Sequence, residues 1–248
     1  MRIEILPVEG LPEVTLGDDL ATLIMGALAG RDTELADGDV LVVAQKVVSK
    51  AEGKLRDLGT VVAGARAHEL APALLADPRA VQAVLDESVR IVRQERVLIV
   101  ETGQGFICAN AGIDHSNVPG DEVVSLLPDD CDESASRLRD RIHELTGRTV
   151  GVIVTDTFGR PWRLGLTNVA LGIAGTPAAI DYRGQADDWG RELEGTVLAV
   201  ADELAGAAEL VMGKTGRVPV AIVRGYHPEG PAGSGQDLVR PPELDLFR

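Results

Sequence analysis

The stretch "RVLIVETGQGFICANAG", from Arg96 to Gly112, decides the fold class. Two apolar runs, the first rich in β-branched residues, flank a glycine turn around Gly103 and Gly105. A connection that short joins two strands only as a hairpin, so the pair must be antiparallel. An antiparallel hairpin set among separate helical patterns predicts an α+β fold of mixed or antiparallel sheets with helices, rather than a doubly wound parallel sheet.

Working outward, Arg2–Val8 alternates as a strand does until Pro7, Gly10 and Pro12 break it. Asp18 and Asp19 suit the start of a helix from about Leu20 to Ala29, because acids favour the positive end of a helix dipole. A turn at Asp37-Gly38 leads into a buried strand ending near Val43, and residues 65–88 predict two short helices interrupted at Pro72 and Pro78. Downstream, "DESASRLRDRIHELTG" predicts a helix capped by Asp132, with Leu138, Ile142 and Leu145 on its buried face and Gly147 as its stop. It feeds a strand from Thr149 to Thr155. In "TVLAVADELAGAAELVMG" the spacing of Val197, Ala201, Leu204, Ala208 and Val211 predicts a second helix with that face buried. "VPVAIVRG" reads as a last strand, and residues 229–248 as an irregular tail or a linker to a further domain. The length suits one large domain spanning 1–248 or two interleaved subdomains.

With 39 acids against 24 bases the formal charge is −15, which disfavours nonspecific binding to nucleic acid or anionic membrane. No apolar run approaches a membrane span and the opening residues carry no secretion signal, so a cytoplasmic protein is expected. Cys108 and Cys131 stand apart from the four histidines without zinc-site spacing and are expected to be reduced thiols. A phosphorylated ligand would therefore have to be held by local lysines and arginines, backbone amides and bound cations.

Four clusters suit that task. "AQKVVSKAEGK" sets Lys46, Lys50 and Lys54 beside Gln45 and Ser49 at a strand end, which suits an oligophosphate and equally a solvated lysine face. "NAGIDHSN" offers Asp114, Ser116 and Asn117, hard oxygens of the kind magnesium or manganese prefers, in a composition that turns also favour. "VGVIVTDTFGRPWRLG" places Asp156 as a candidate divalent-ion ligand between Thr155 and Thr157, followed by Arg160 and Arg163 to stabilise phosphoryl charge and Trp162 as a pocket wall or packing residue. "MGKTGR" is no P-loop, because Ala208 stands where the first glycine belongs and the segment follows a helix instead of preceding one. Its Lys214, Thr215 and Arg217 remain able to meet phosphate, and Gly213 equally reads as a helix end.

Taken in order, "LPVEGLPEV", "GDDLA", "DGDVLVVAQKVVSKAEGK", "NAGIDHSNV", "VIVTDTFGRPWRLG", "VADELAGAAELVMGK" and "PVAIVRG" resemble the coenzyme F420-0:L-glutamate ligases over nearly the whole chain. The resemblance implies a family-specific α+β fold, an intertwined homodimer, GTP as phosphoryl donor, two divalent cations (magnesium or manganese) and potassium. It implies nucleotide contacts at Leu11, Pro12, Glu13, Val14, Gln45, Lys46, Lys50, Asn117, Val211, Met212, Gly213, Lys214, Thr215, Gly216 and Arg217. It implies Asp114 and Asp156 as ligands of the first metal and Thr157 of the second. One departure from the archaeal-type pattern falls at Lys214, where those members carry an acid. The ending "DLVRPPELDLFR" resembles the junction at which actinobacterial relatives continue into a nitroreductase-like domain.

The implied chemistry is GTP-dependent formation of a γ-linked amide between L-glutamate and F420-0 through an acyl phosphate. Asp156, Arg160 and Arg163 are its expected catalytic residues, the arginines gripping the precursor or the incoming glutamate. The same acids would also serve a metal-dependent phosphohydrolase, and the same cluster a noncatalytic GTP-binding module.

Overall fold

The computed structural model describes residues 2–31 and 33–245. In chain order the strands and helices are β1 (Glu4–Pro7), α1 (Leu20–Ala29), β2 (Val40–Ala44), α2 (Gln45–Ala51), β3 (Leu55–Asp57), α3 (Ala65–Leu74), α4 (Pro78–Asp86), β4 (Ser88–Gln94), β5 (Leu98–Thr102), β6 (Ile107–Ala109), β7 (Val123–Ser125), α5 (Cys131–Thr146), β8 (Gly151–Arg160), β9 (Arg163–Ala174), β10 (Ile180–Asp181), β11 (Val197–Leu198), α6 (Val200–Met212) and β12 (Val220–Arg224).

Five strands form the main sheet in the order β1-β12-β2-β8-β9. Only β2 and β8 run parallel in it. Smaller antiparallel sheets pair β4-β5-β6, β3-β7 and β10-β11. The fold is therefore α+β with mixed sheets, and the hairpin at residues 96–112 is antiparallel as its glycine turn requires.

Alternation along β2 explains how the main sheet is covered on both sides. Leu41 and Val43 pack with α1 and α5 through Ile24, Leu28, Leu138 and Ile142, while Val40 and Val42 pack against α6 through Ala201, Leu204, Ala205 and Ala208. A separate apolar cluster of Ala67, Leu70, Val81, Val84, Leu98 and Val100 seats α3 and α4 on the β4-β5-β6 sheet. No helix among the described residues is long and apolar enough to cross a membrane.

Several elements differ from their sequence reading for local reasons. The α1 helix starts as expected, Asp19 accepting from the Thr22 N–H at 3.1 Å. The cap of α5 is Asp130, whose extended backbone and bond from the Glu133 N–H at 2.9 Å meet the requirement. Asp132 instead lies in the first turn, and its carboxylate accepts from the N–H groups of Ile173 and Gly235, both at 2.7 Å. That oxygen fastens the C-terminal segment to β9. Leu145 is 42% exposed, because α5 buries only Cys131, Ser134, Ala135, Leu138 and Ile142. The α6 helix begins at Val200, so Val197 falls in the exposed strand β11, and Met212 completes the buried face where Val211 is only partly covered. Pro72 lies inside α3, whereas Pro78 opens α4. Gln45–Ala51 is a helix following the strand, and β8 runs on past Thr155 to Arg160.

Candidate active site

Four chain segments reach one end of the main sheet. Ala44, at the end of β2, lies beside Thr155 of the parallel strand β8, so Gln45 and Lys46 emerge next to Asp156. The Ala44 N–H donates to the Pro219 carbonyl at 2.8 Å, which brings the turn after α6 to the same place. Val8 N–H donates to the Val220 carbonyl at 2.9 Å, so the Leu11–Val14 loop leaves from that end too. The C-terminal ends of parallel strands are favoured ligand positions, and here antiparallel neighbours add loops to that edge.

The loop carrying Asp114 comes from the smaller sheets, bridged to Ser125 through reciprocal backbone bonds of 3.2 and 2.9 Å. Lys46 Nζ donates to Asp114 Oδ2 at 2.6 Å and to Ser116 Oγ at 2.7 Å. Ser116 donates to the same carboxylate from its N–H at 2.8 Å and from its hydroxyl at 2.7 Å. Burial works against the Asp114 charge, but the hydrogen bonds from Lys46 and Ser116 outweigh it and hold the carboxyl below its ordinary pKa. For Asp156 burial wins and pushes the carboxyl up to about 6. The Thr157 N–H and the charges of Lys46 and Lys214 pull it back, while the charge of Asp114 adds to the rise. Two carboxylates thus share one field, with Lys46 in direct contact with Asp114 and Lys214 acting on Asp156 through its charge.

A second cluster lies beside the first. Lys214 Nζ donates to Thr157 Oγ1 at 2.6 Å and pairs with Glu209 Oε1 at 2.8 Å. Thr157 donates to Asn168 Oδ1 at 2.8 Å, and Asn168 Nδ2 donates to Glu209 Oε2 at 2.9 Å. Asn168 and Glu209 escaped the sequence reading. An asparagine at the start of the buried half of β9 and an acid five places before Lys214 are the available signals.

The remaining expected site residues fall into three groups. Lys50 is paired with Glu13, tying α2 to the Leu11–Val14 loop, of which Val14 is core and Leu11 packs beside it. Gln45 is buried, accepts from the Ser49 hydroxyl at 2.7 Å, and leaves its buried Nε2 without a hydrogen-bond partner. Asn117 and Arg217 hold left-handed backbone at φ 55° and 56° on exposed turns, and Gly213 to Gly216 line the exposed turn after Met212 and Val211.

Thr155 is not available to a ligand, because its hydroxyl is buried and donates to the Val169 carbonyl at 2.7 Å. Lys54 is paired with Asp129. Arg160 and Arg163 face each other at the far end of the β8–β9 hairpin, with Trp162 at its tip 83% exposed. Arg160 stands four positions beyond Asp156 along β8, roughly 13 Å of extended strand, so the arginines start well away from the carboxylates.

Among the described residues no group of three or more His, Cys, Asp or Glu is placed to hold a metal ion. The donors that fit a divalent cation are the Asp114 and Asp156 carboxylates, hard oxygens carrying more negative charge than Lys46 cancels. Thr157 does not fit as a second metal's ligand in this arrangement, since Lys214 holds its hydroxyl.

A family model described as F420-0:gamma-glutamyl ligase matches residues 10–225. The chain belongs to that family. It is 47% identical over 253 residues to the coenzyme F420:L-glutamate ligase of Methanothermobacter thermautotrophicus, covering all of both chains. The proteins of that name from Archaeoglobus fulgidus and Methanopyrus kandleri are each 46% identical, with all of this chain matched and 97% and 98% of theirs. The matched region of the F420-0:gamma-glutamyl ligase family begins before Leu11 and ends past β12, so it includes every segment that meets at the sheet edge.

Proposed function

We propose that the protein is a GTP-dependent ligase that joins L-glutamate to coenzyme F420-0 through a γ-linked amide in the cytoplasm. The observation that carries the reading is the convergence of Asp114, Asp156 and Lys46 at the sheet edge of a chain belonging to this ligase family. A carboxylate is a poor electrophile, and transfer of the γ-phosphoryl group converts it into an acyl phosphate that the glutamate amine can attack. Carboxylate and triphosphate repel one another, so the site must supply positive charge before they can approach.

In this reading Lys46 meets that anion, and Lys50, Gln45 and the turn from Gly213 to Arg217 hold the nucleotide. A magnesium or manganese ion, when bound by Asp114 and Asp156, supplies Lewis acidity and charge neutralisation to the phosphates. Arg160 and Arg163, well along the hairpin, hold the distal anionic part of a long precursor rather than the transferring phosphoryl group. Potassium belongs to the same reading through the family resemblance alone. The hairpin also supports a homodimer: Trp162, Leu164 and Leu166 are 83%, 99% and 68% exposed, an apolar surface that a second copy would cover.

Incubation with F420-0, GTP, L-glutamate and manganese, followed by mass spectrometry, tests the reading. Glutamate-extended precursor together with GDP is expected. Phosphate release at full rate without acceptor and glutamate would mark a phosphohydrolase, and tight GTP binding without any product a noncatalytic module.

A further inference from the structure

The end of α6 places a cation where a ligand cage already exists. Gly213 takes φ 58° and ψ −167°, a backbone region essentially confined to glycine, and the residue after it is Lys214. The Lys214 ammonium lies 2.6 Å from Thr157 Oγ1, 2.8 Å from Glu209 Oε1 and 3.5 Å from Asn168 Oδ1. The hydrogen bonds from Thr157 to Asn168 and from Asn168 to Glu209 fix those three oxygens relative to one another. A hydroxyl, a carboxamide oxygen and a carboxylate are the donors that magnesium and manganese take. The cage nevertheless holds an ammonium.

Charge separates this cage from its neighbour. Glu209 pairs directly with Lys214 and cancels it, whereas Asp114 and Asp156 have one ammonium in direct contact, Lys46 on Asp114, feel Lys214 only through its already paired charge, and keep a net negative charge. A divalent ion entering the first place meets attraction, and one entering the second meets the repulsion of a cation within bonding distance of the same oxygens. We propose that the Lys214 ammonium is the built-in second cation of this site, so that the chain takes one divalent ion where its family resemblance implies two. The proposal rests on the Asp114–Asp156 reading only for the position of the first ion.

Manganese titration followed by electron paramagnetic resonance, with the metal alone, tests it on the intact protein. Lys214→Met should bind one more manganese per chain than the unaltered protein, Lys214→Arg should bind no more, and Glu209→Gln added to Lys214→Met should lose the gain. Lys214 is 59% exposed in its side chain, so these changes leave the core untouched. Equal counts in the unaltered protein and Lys214→Met, or two ions already in the unaltered protein, would overturn the proposal. A count of zero rising to one in Lys214→Met would uphold Lys214 as the built-in cation and overturn the Asp114–Asp156 reading on which the single divalent ion rests.

Discussion

The Lys46 ammonium lies 2.6 Å from Asp114 Oδ2, joining the first turn after β2 to a loop bridged to β7. The pair links two separate sheets at the point where Asp156 emerges. Removing the ammonium leaves two carboxylates in one field. Lys46→Met should therefore raise the Asp114 titration, read by carbon NMR of the labelled carboxyl. It should also lower glutamylation by on the order of 100-fold, the scale of losing one preorganised charge. An unmoved titration would show that Ser116 alone holds the carboxylate.

Asp156 makes the metal-free protein less stable than it would otherwise be. Its carboxyl has an unfolded value near 3.8 and a folded value of about 6. A group raised in this way stabilises the fold fully only below the lower value, and that contribution is lost as pH rises through about 6. In chelator at neutral pH, Asp156→Asn should be more stable by roughly 1–3 kcal/mol, with the advantage gone near pH 4. Urea unfolding at the two pH values measures it, and a destabilised variant at neutral pH would contradict the burial argument.

Cys108 and Cys131 are free and buried in one apolar cluster with Phe106, Leu127 and Leu171. Burial pushes both thiols up to about 12. The thiolate is the reactive form, so the native protein should resist iodoacetamide at about pH 8 and alkylate at both positions in denaturant. Rapid alkylation of native protein would show that the cluster opens.

Asp132→Ala should cost about 2–4 kcal/mol, because two N–H donors, from Ile173 and Gly235, lose a charged acceptor and are left in a tight space. The room there is small: a Cβ on Gly235 would come within 2.0 Å of the Leu171 carbonyl oxygen. Denaturant unfolding checks the loss, and an unchanged midpoint would mean that water replaces the carboxylate.

The elements legible in the sequence were those with a local cause. The Gly103–Gly105 turn, the Asp19 cap and the Gly147 stop each act within a few residues, and all three fell where expected. The helix at Gln45 is hidden because Val47 and Val48, separated from the strand by only two residues, add to its β-branched composition, and β8 outruns its expected end because Asp156 and Thr157 pair across to Val169 and Asn168. The site residues carried chemical signals, but their meeting depends on β2 and β8 lying side by side, a pairing with no local trace. Asn168 and Glu209 acquire a role only through Lys214, which approaches them across the turn at Gly213.

The most direct test of the account compares the unaltered protein with Asp156→Asn in the presence of F420-0, GTP, L-glutamate and manganese, following glutamate addition by mass spectrometry and phosphate in parallel. Glutamate-extended product that falls by orders of magnitude in the folded variant, together with its phosphate release, is the predicted result. Near-normal glutamylation by Asp156→Asn would contradict the account.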